Sequence, residues 1–218
     1  MCGIEDSVPD NYYCAVRKDL IDLVPPGFKS VLEIGCGDGN NADYLREKGA
    51  IYIAGIELSS KHGKAAKNKM DDVFIGSVEG ELPGWLLNTK FDLLICGDVI
   101  EHLNNPWKTL IALRNLMSPS GYLLASIPNV RHYSVIKDLV FKGRFHYVSS
   151  GLLDRTHLRF FTKSEIVELF ENSGYRTVSW SHSEMPKRDS LISRMSFGLL
   201  DGFLVYQYYV LAQKRQSR

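Results

Sequence analysis

Apolar runs alternate with segments of helical spacing along most of the chain. The continuous apolar run at 30–34, written SVLEI, is typical of a parallel strand that is covered on both faces. Further apolar runs and short helical segments follow it in turn. This alternation predicts an α/β fold, a doubly wound and mostly parallel sheet with right-handed crossovers. The predicted strands are 30–34, 51–58, 72–76, 91–96 and 122–128, and the predicted helices between and before them are 12–24, 41–49, 59–70 and 106–117.

The alternation breaks after the fifth strand. Residues 129–162 show little strand or helix pattern and carry several arginines and histidines. Because connections of about 2–6 residues are usual, so long a segment predicts a lid-like, substrate-side insertion. A capping box, Thr162 to Glu165, then starts a helix at 162–174. Strands at 175–181 and 203–214 are expected to pair antiparallel at the sheet edge, giving seven strands in a single domain over 1–218.

Composition narrows the classes of function. The net charge of +1 gives no reason to expect a polyanionic partner, so nucleic-acid binding is not favoured. The spacing of the four cysteines, Cys2, Cys14, Cys36 and Cys96, does not match a zinc site. Cys36 and Cys96 lie in apolar runs, so we expect them to be small core residues of a protein from a reducing compartment. No apolar stretch approaches the ~20 residues of a membrane span, and no signal peptide is visible. We therefore expect a cytoplasmic protein without a metal site; its oligomeric state is not predicted.

Three glycines alternate directly after the first strand, at Gly35, Gly37 and Gly39. A strand-to-helix turn this rich in glycine lets a ligand approach the main chain. The dinucleotide fingerprint G-x-G-x-x-G is not matched, because Asn40 stands where its third glycine should be. Asp38 inside the turn would also repel a pyrophosphate at a helix N-terminus. The turn therefore predicts a ligand without phosphate at this point.

An acid, Glu57, ends the second strand about 20 residues beyond the glycines, where a carboxylate can accept both hydroxyls of a ribose. A ribose with no phosphate nearby, held by acids around a glycine turn, indicates a nucleoside with a cationic or amino-acid tail. S-adenosylmethionine is such a molecule.

Several motifs then resemble those of the class I S-adenosylmethionine-dependent methyltransferases. They are VLEIGCGDG, the acid Glu57, FDLLICGDVIEHL and LMSPSGYLLASIPN, and the resemblance runs from about Tyr12 to the last strand. It implies a Rossmann-like methyltransferase fold with S-adenosylmethionine as cofactor. The stretches IPNVRHYSVIKDLVFKGRFHY, GLLDRTHLRFFT and FLVYQYYVLAQK resemble a bacterial subgroup associated with polysaccharide and glycosyltransferase systems, which is similar in its core to quinone-biosynthesis methyltransferases.

The resemblance also implies a set of cofactor contacts, some with alternatives. Arg17 is expected to bind the cofactor carboxylate or to lie on the surface, and Glu33 to orient either the turn or the cofactor ammonium group. Asp98 is expected either to line the methionine side of the cofactor site or to cap the helix that follows it. The aspartate that follows strand three in many relatives is absent here, so Ser77, Val78 or Glu79 is left to contact the adenine. The predicted cofactor-binding residues are Tyr13, Arg17, Glu33, Gly35, Cys36, Gly37, Asp38, Gly39, Glu57, Leu58, Ser77, Val78, Cys96, Gly97 and Asp98.

Histidines in the insertion are the candidates for acid–base chemistry. An ordinary sugar hydroxyl ionises poorly, so its methylation needs a positioned base, and histidine titrates in the useful range. We predict His157 as this base, with Asp154 as its orienting carboxylate and His132 as the second candidate. His102 is interpreted mainly as a packing residue, and His62 and His182 as exposed. Arginines that could grip an acidic group are Arg131, Arg155 and Arg159.

The leading hypothesis from the sequence is O-methylation of a sugar or glycan intermediate in polysaccharide biosynthesis. The alternative acceptor is a phenolic or quinone precursor, or another small molecule, which predicts an apolar pocket at the insertion instead of one rich in arginine and histidine. Two further hypotheses are a nicotinamide-dependent oxidoreductase, which the glycine spacing disfavours, and a non-catalytic cofactor-binding protein.

Overall fold

The computed structural model describes residues 16–215, within which seven strands form one mixed sheet of order β3-β2-β1-β4-β5-β7-β6. Strands β1 to β5 are parallel, and β7 runs antiparallel between β5 and β6. The seven-stranded, mostly parallel sheet is therefore confirmed. The strands are β1 (Ser30–Ile34), β2 (Tyr52–Glu57), β3 (Asp72–Ile75), β4 (Phe91–Gly97), β5 (Met117–Pro128), β6 (Tyr175–His182) and β7 (Gln207–Lys214).

Helices cover the faces of this sheet and its connections. The capping box at Thr162 is formed as predicted, and Pro106 opens the helix that Asn105 caps. No helix of the described chain combines the length and apolar character needed to cross a membrane. The helices are α1 (Lys18–Ile21), α2 (Ala42–Glu47), α3 (Ser60–Ala66), α4 (Gly84–Leu87), α5 (Pro106–Arg114), α6 (Tyr133–Lys142), α7 (Lys163–Asn172), α8 (Lys187–Met195) and α9 (Asp201–Leu204), with a 3₁₀ turn at Ile100–His102.

The largest departures from the predicted elements lie late in the chain. The 129–162 insertion contains helix α6, although Val135 is the buried residue of that helix and its core signal is correspondingly weak. Two helices, α8 and α9, lie between β6 and β7. The last strand therefore begins at Gln207, where it pairs with Pro128, and not at Phe203 as expected.

The core lies on both faces of the sheet, as the uniform apolar strands predict. Leu32 and Ile34 of β1 pack into one cluster, whereas Val31 packs into the other. Cys36 and Cys96 are both buried, as expected of small core residues, and burial raises the pKa of the Cys96 thiol to about 12. The carboxyl ends of β1, β2 and β4 therefore meet at one edge of a rigid scaffold.

One buried hydroxyl gives a test of the packing between α5 and the sheet. Tyr175 is fully buried, and its hydroxyl donates a hydrogen bond of 2.8 Å to the carbonyl of Leu110. Tyr175→Phe should lower the free energy of unfolding by about 1–2 kcal/mol, because the buried hydrogen bond from the tyrosine hydroxyl is lost. The measurement is urea denaturation, with Tyr52→Phe as the control, since that hydroxyl bonds Asp72 at the surface. Equal losses in the two variants would contradict the buried role.

Candidate active site

The glycine turn after β1 has the backbone that the sequence indicates. Gly35, Gly37 and Gly39 have φ values of 70°, 53° and 72°, a region that side chains other than glycine rarely adopt. A Cβ added at Gly35 would lie 2.7 Å from the Val99 side chain. The turn therefore presents bare main chain at the carboxyl edge of the sheet.

Glu57 holds this turn against the start of α3. The side chain is buried, and its Oε2 accepts a 2.8 Å hydrogen bond from the backbone N–H of Gly37 while Oε1 accepts one of 2.8 Å from Ser59. Each carboxylate oxygen keeps a second lone pair, so Glu57 can still accept from the two hydroxyls of a ribose. The neighbouring Leu58 is 74 % exposed and offers an apolar surface beside it.

Glu33 provides an unpaired acceptor next to Glu57. Its side chain is buried, Oε1 accepts a 2.6 Å hydrogen bond from Asn41, and Oε2 has no partner. Burial, with a smaller contribution from the charge of Glu57, raises the pKa of Glu33 to about 7. A buried carboxyl oxygen without a partner fits an ammonium group, which is what the amino-acid tail of S-adenosylmethionine carries.

Asp98, directly after β4, joins the first helix to the sheet. Its backbone has φ 56°, an uncommon conformation for a residue other than glycine. Its Oδ2 accepts a 2.6 Å hydrogen bond from Arg17, and Oδ1 accepts from Ser126 at 3.0 Å and from Gln207. Asp98 therefore points to Arg17 and does not cap the following helix, which removes that alternative.

The second half of the insertion returns to the turn after β4. The carbonyl of Glu101 accepts backbone hydrogen bonds from Leu158 at 2.8 Å and Arg159 at 3.0 Å. Nδ1 of His102 lies 3.2 Å from the carbonyl of Thr156. The insertion is thus attached through its main chain to the carboxyl end of β4.

Two histidines meet there with the same tautomer. Nδ1 of His157 lies 3.2 Å from the carbonyl of Leu152, and the rings of His102 and His157 are 4.8 Å apart, edge to face. Because a carbonyl only accepts, the Nδ1–H of each ring must donate, which leaves Nε2 of each as the acceptor. Burial lowers the pKa of both histidines, and the charge of His102 lowers that of His157 further.

A buried carboxyl completes this group. Glu101 is 1 % exposed, and neither of its side-chain oxygens has a hydrogen-bond partner. Burial, followed by the charge of Asp98, raises the pKa of Glu101 well above its usual range. Glu101, His102 and His157 offer ligand atoms that all lie within 4.8 Å of one another. The three residues can share a proton with an acceptor hydroxyl or hold a divalent cation, a capacity that the sequence spacing did not indicate.

Comparison with known proteins decides the family. Residues 10–179 match the family model described as a methyltransferase domain. The chain belongs to this methyltransferase family. The predicted methyltransferase activity is thereby confirmed, with S-adenosylmethionine as the cofactor, in agreement with the orphaned Glu33 oxygen and the glycine turn.

The relatives and solved structures of this methyltransferase agree with that assignment. A ubiquinone biosynthesis O-methyltransferase of Psychrobacter arcticus is 28% identical, with 79% of this chain and 68% of the relative aligned. The mitochondrial ubiquinone biosynthesis O-methyltransferase of Schizosaccharomyces pombe is 33% identical over 45% of this chain, an alignment that spans only 37% of the relative. A SAM-dependent methyltransferase structure from Archaeoglobus fulgidus matches with TM-score 0.66 and 18% identity, covering 90% of this chain and 91% of that one, and confirms the Rossmann-like fold.

The structure gives His157 a different orienting partner from the one predicted. Asp154 does not orient His157, because its Oδ1 accepts from the backbone N–H of Thr156 at 2.7 Å and from the Thr156 hydroxyl at 2.6 Å. The orienting group of His157 is the main-chain carbonyl of Leu152, which carries no sequence signal. His132, the second candidate for the base, caps α6, where its Nδ1 accepts a hydrogen bond from the backbone N–H of Ser134 at 3.4 Å, and its role as a base stays a prediction.

Two of the three arginines predicted to bind an acidic group, a sugar acid, phosphate or carboxylate, contact other parts of the protein. Arg131 lies over the ring of Phe203, 4.1 Å from its centroid, and Arg159 donates to main-chain carbonyls, including that of Leu158 at 3.1 Å. Arg155 is exposed. The three arginines therefore do not converge on one point.

The adenine side and His62 also differ from expectation. Glu79 accepts hydrogen bonds from Asn104 and Asn105, so its carboxylate positions the start of α5 and is not a free adenine contact. The expectation that His62 is exposed is wrong. The side chain is buried, and its Nδ1 lies 2.8 Å from Oδ1 of Asp38 in the glycine turn.

The other predicted cofactor residues remain predictions at the positions that the structure gives them. Cys36, Cys96 and Gly97 lie at the ends of β1 and β4, Ser77 and Val78 follow β3, and Tyr13 lies outside the described residues.

Proposed function

We propose that this methyltransferase transfers a methyl group to the hydroxyl of a small aromatic acceptor, a phenol of the kind found among quinone precursors. The observation that carries the proposal is the group formed by Glu101, His102 and His157 beside the end of β4, where backbone hydrogen bonds attach the insertion. The names of the ubiquinone biosynthesis relatives support the same acceptor class.

Aromatic side chains of the insertion favour a ring over a sugar. Phe160 lies 6.3 Å from the ring of His157 and 5.4 Å from that of Phe145, and Tyr147 lies 6.2 Å from Phe160. Such side chains pack well against another aromatic ring. Together with the dispersed arginines, they favour the phenolic alternative over the glycan that the sequence first indicated.

The donor contacts are inferred from the side chains around the glycine turn. Glu57 would accept hydrogen bonds from the ribose hydroxyls, Glu33 would bind the ammonium group, and Arg17, which is paired with Asp98 after β4, would bind the carboxylate. When bound, S-adenosylmethionine supplies an electrophilic methyl group whose transfer is an in-line displacement. Glu33 and Glu57 thus fix the donor from one side, and positioning then supplies much of the rate.

His157 would remove the acceptor proton. Its Nδ1–H is held by Leu152, so Nε2 is available, and the lowered pKa keeps the ring neutral at neutral pH. As the acceptor O–H bond breaks, its proton goes to Nε2 of His157. The oxygen lone pair forms the new O–C bond, and the C–S bond breaks to leave a neutral thioether. Solvent then takes the proton from His157.

Glu57 gives a test of donor binding. Glu57→Ala should weaken S-adenosylmethionine binding by about 1–2 kcal/mol, roughly 5- to 30-fold, because two charge-assisted hydrogen bonds are lost. Calorimetry at fixed pH measures it, and Asp72→Asn, an exposed carboxylate on β3, is the control. Affinity unchanged in Glu57→Ala would remove the residue from the ribose site.

The acceptor class is tested by transfer of a labelled methyl group. Purified protein with labelled S-adenosylmethionine is offered catechols and other phenols in one panel and free and nucleotide-linked sugars in a second. We expect labelled methyl ethers from the phenols; product from the sugar panel alone would contradict the proposal. Repeating the assay after chelation, and again with one divalent cation restored, tells whether a cation shares the Glu101, His102 and His157 group.

A further inference from the structure

The connection between β6 and β7 exposes an unusual amount of apolar surface. Phe197 is 93 % exposed and Leu199 is 84 % exposed, at the turn between α8 and α9. Contiguous exposed apolar surface on a protein commonly marks a binding face. The exposed apolar side chains of this segment, residues 187–200, are Leu191, Met195, Phe197, Leu199 and Leu200.

The same segment is positively charged at its surface. Lys187, Arg188 and Arg194 are exposed, whereas the acidic side chain of the segment, Asp189, is buried and ion-paired to Arg188 at 2.9 Å. Every exposed charge from 187 to 200 is therefore a cation. Apolar side chains interleaved with cations are typical of surfaces that lie on membranes with anionic lipids.

The apolar tip is held in place by its own backbone. Phe197 has φ 51°, a genuine outlier for so bulky a residue. Its N–H donates to the carbonyl of Arg194 at 3.2 Å, and that of Gly198 donates to Ser193 at 2.9 Å. The turn thus keeps the Phe197 ring directed away from the protein, although burying it would be more favourable in water.

We propose that segment 187–200 docks this methyltransferase onto the surface of a bilayer that contains anionic lipids. Phe197 and Leu199 enter the boundary between headgroups and acyl chains, while Lys187 and Arg194 contact lipid phosphates. Because every exposed charge of the segment is a cation, the charge pattern favours an anionic lipid surface. The inference goes beyond the proposed function and does not depend on which acceptor is methylated.

The docking segment is connected to the insertion at the candidate active site. Arg188 donates a 2.7 Å hydrogen bond to the hydroxyl of Tyr133 on α6. A cavity of about 330 Å³ lies between these helices, with His132, Asp189 and Tyr206 in its lining. The docking segment is therefore in direct contact with α6, the first element of the 129–162 insertion that also carries His157.

Vesicle co-sedimentation of the full chain tests the proposal. Vesicles of phosphatidylcholine alone are compared with vesicles in which about 30 % of the lipid is phosphatidylglycerol, at low and at raised salt. We expect binding to the anionic vesicles and weaker binding as salt rises. The double variant Phe197→Asn with Leu199→Ser should lower binding by about tenfold or more, and Arg194→Glu by a similar factor.

The variants are chosen so that folding and function do not confuse the result. Asparagine tolerates the left-handed backbone at Phe197, and Ile111→Ser removes an exposed aliphatic side chain from α5 as the matched control. Calorimetry with S-adenosylmethionine checks that each variant keeps its donor site. Absence of binding, equal binding to neutral vesicles, or full binding by the double variant would overturn the proposal. The proposal would also be overturned if the protein did not bind vesicles and light scattering found a dimer that dissociates in the double variant.

Discussion

His157→Ala is expected to lower kcat by roughly 10²–10⁴-fold and to leave the affinity for S-adenosylmethionine unchanged. The residue lies in the insertion beside the end of β4, its Nδ1–H is fixed by the carbonyl of Leu152, and its Nε2 is the proposed acceptor for the substrate proton. Because the proposed donor contacts come from Glu33, Glu57 and the glycine turn, the loss should fall on turnover and not on donor binding.

The pH profile separates this role from a structural one. Burial lowers the pKa of His157 below its usual value of 6.5, so wild-type turnover should rise as pH increases through that lowered pKa and be level at neutral pH. The alanine variant should lose this rising limb. His182→Ala, an exposed histidine on β6, is the matched control and should keep both rate and profile. Full activity of His157→Ala would exclude it as the base.

The free energy of unfolding of donor-free Glu33→Gln, taken relative to that of the wild type, should rise by on the order of 2–3 kcal/mol between pH 4 and pH 8. Burial raises the pKa of Glu33 from 4.5 to about 7 in the folded state. The folded protein therefore holds a proton in that window that the unfolded chain has released. The stability from this group is complete below pH 4.5 and is lost as pH rises through about 7.

The measurement is urea denaturation of both proteins at several pH values, and the difference between them cancels the other titrating groups. Glu47→Gln, an exposed carboxylate on α2, controls for loss of an acid at the surface. Calorimetry in two buffers should also show a proton released from wild-type Glu33 when S-adenosylmethionine binds at about pH 6, where its ammonium group replaces the proton. A difference in stability that does not change with pH would contradict this description of Glu33.

The sheet and the glycine turn could be predicted because their signals are local. Buried parallel strands such as β1 are apolar on both faces, and a turn that needs three positive φ values must use glycine. The acid Glu57 falls at a strand end that the same pattern defines. These features depend on residues close together in the sequence.

The acceptor side could not be predicted in the same way. His157 is oriented by a main-chain carbonyl, and the insertion is attached by backbone hydrogen bonds to Glu101, neither of which requires a particular residue type. Glu101 has no distinguishing signal in the sequence, and only the fold buries it without a hydrogen-bond partner. Helix α8 was missed because most of its side chains are exposed, so it has no core stripe.

The most direct test is a crystal structure of the protein with S-adenosylhomocysteine and a catechol acceptor. We predict ribose hydroxyls on Glu57, the ammonium group on Glu33, and the sulfur facing an acceptor hydroxyl that lies within hydrogen-bond distance of Nε2 of His157. A nucleoside bound away from the glycine turn, or a sulfur directed away from Glu101, His102 and His157, would contradict the account.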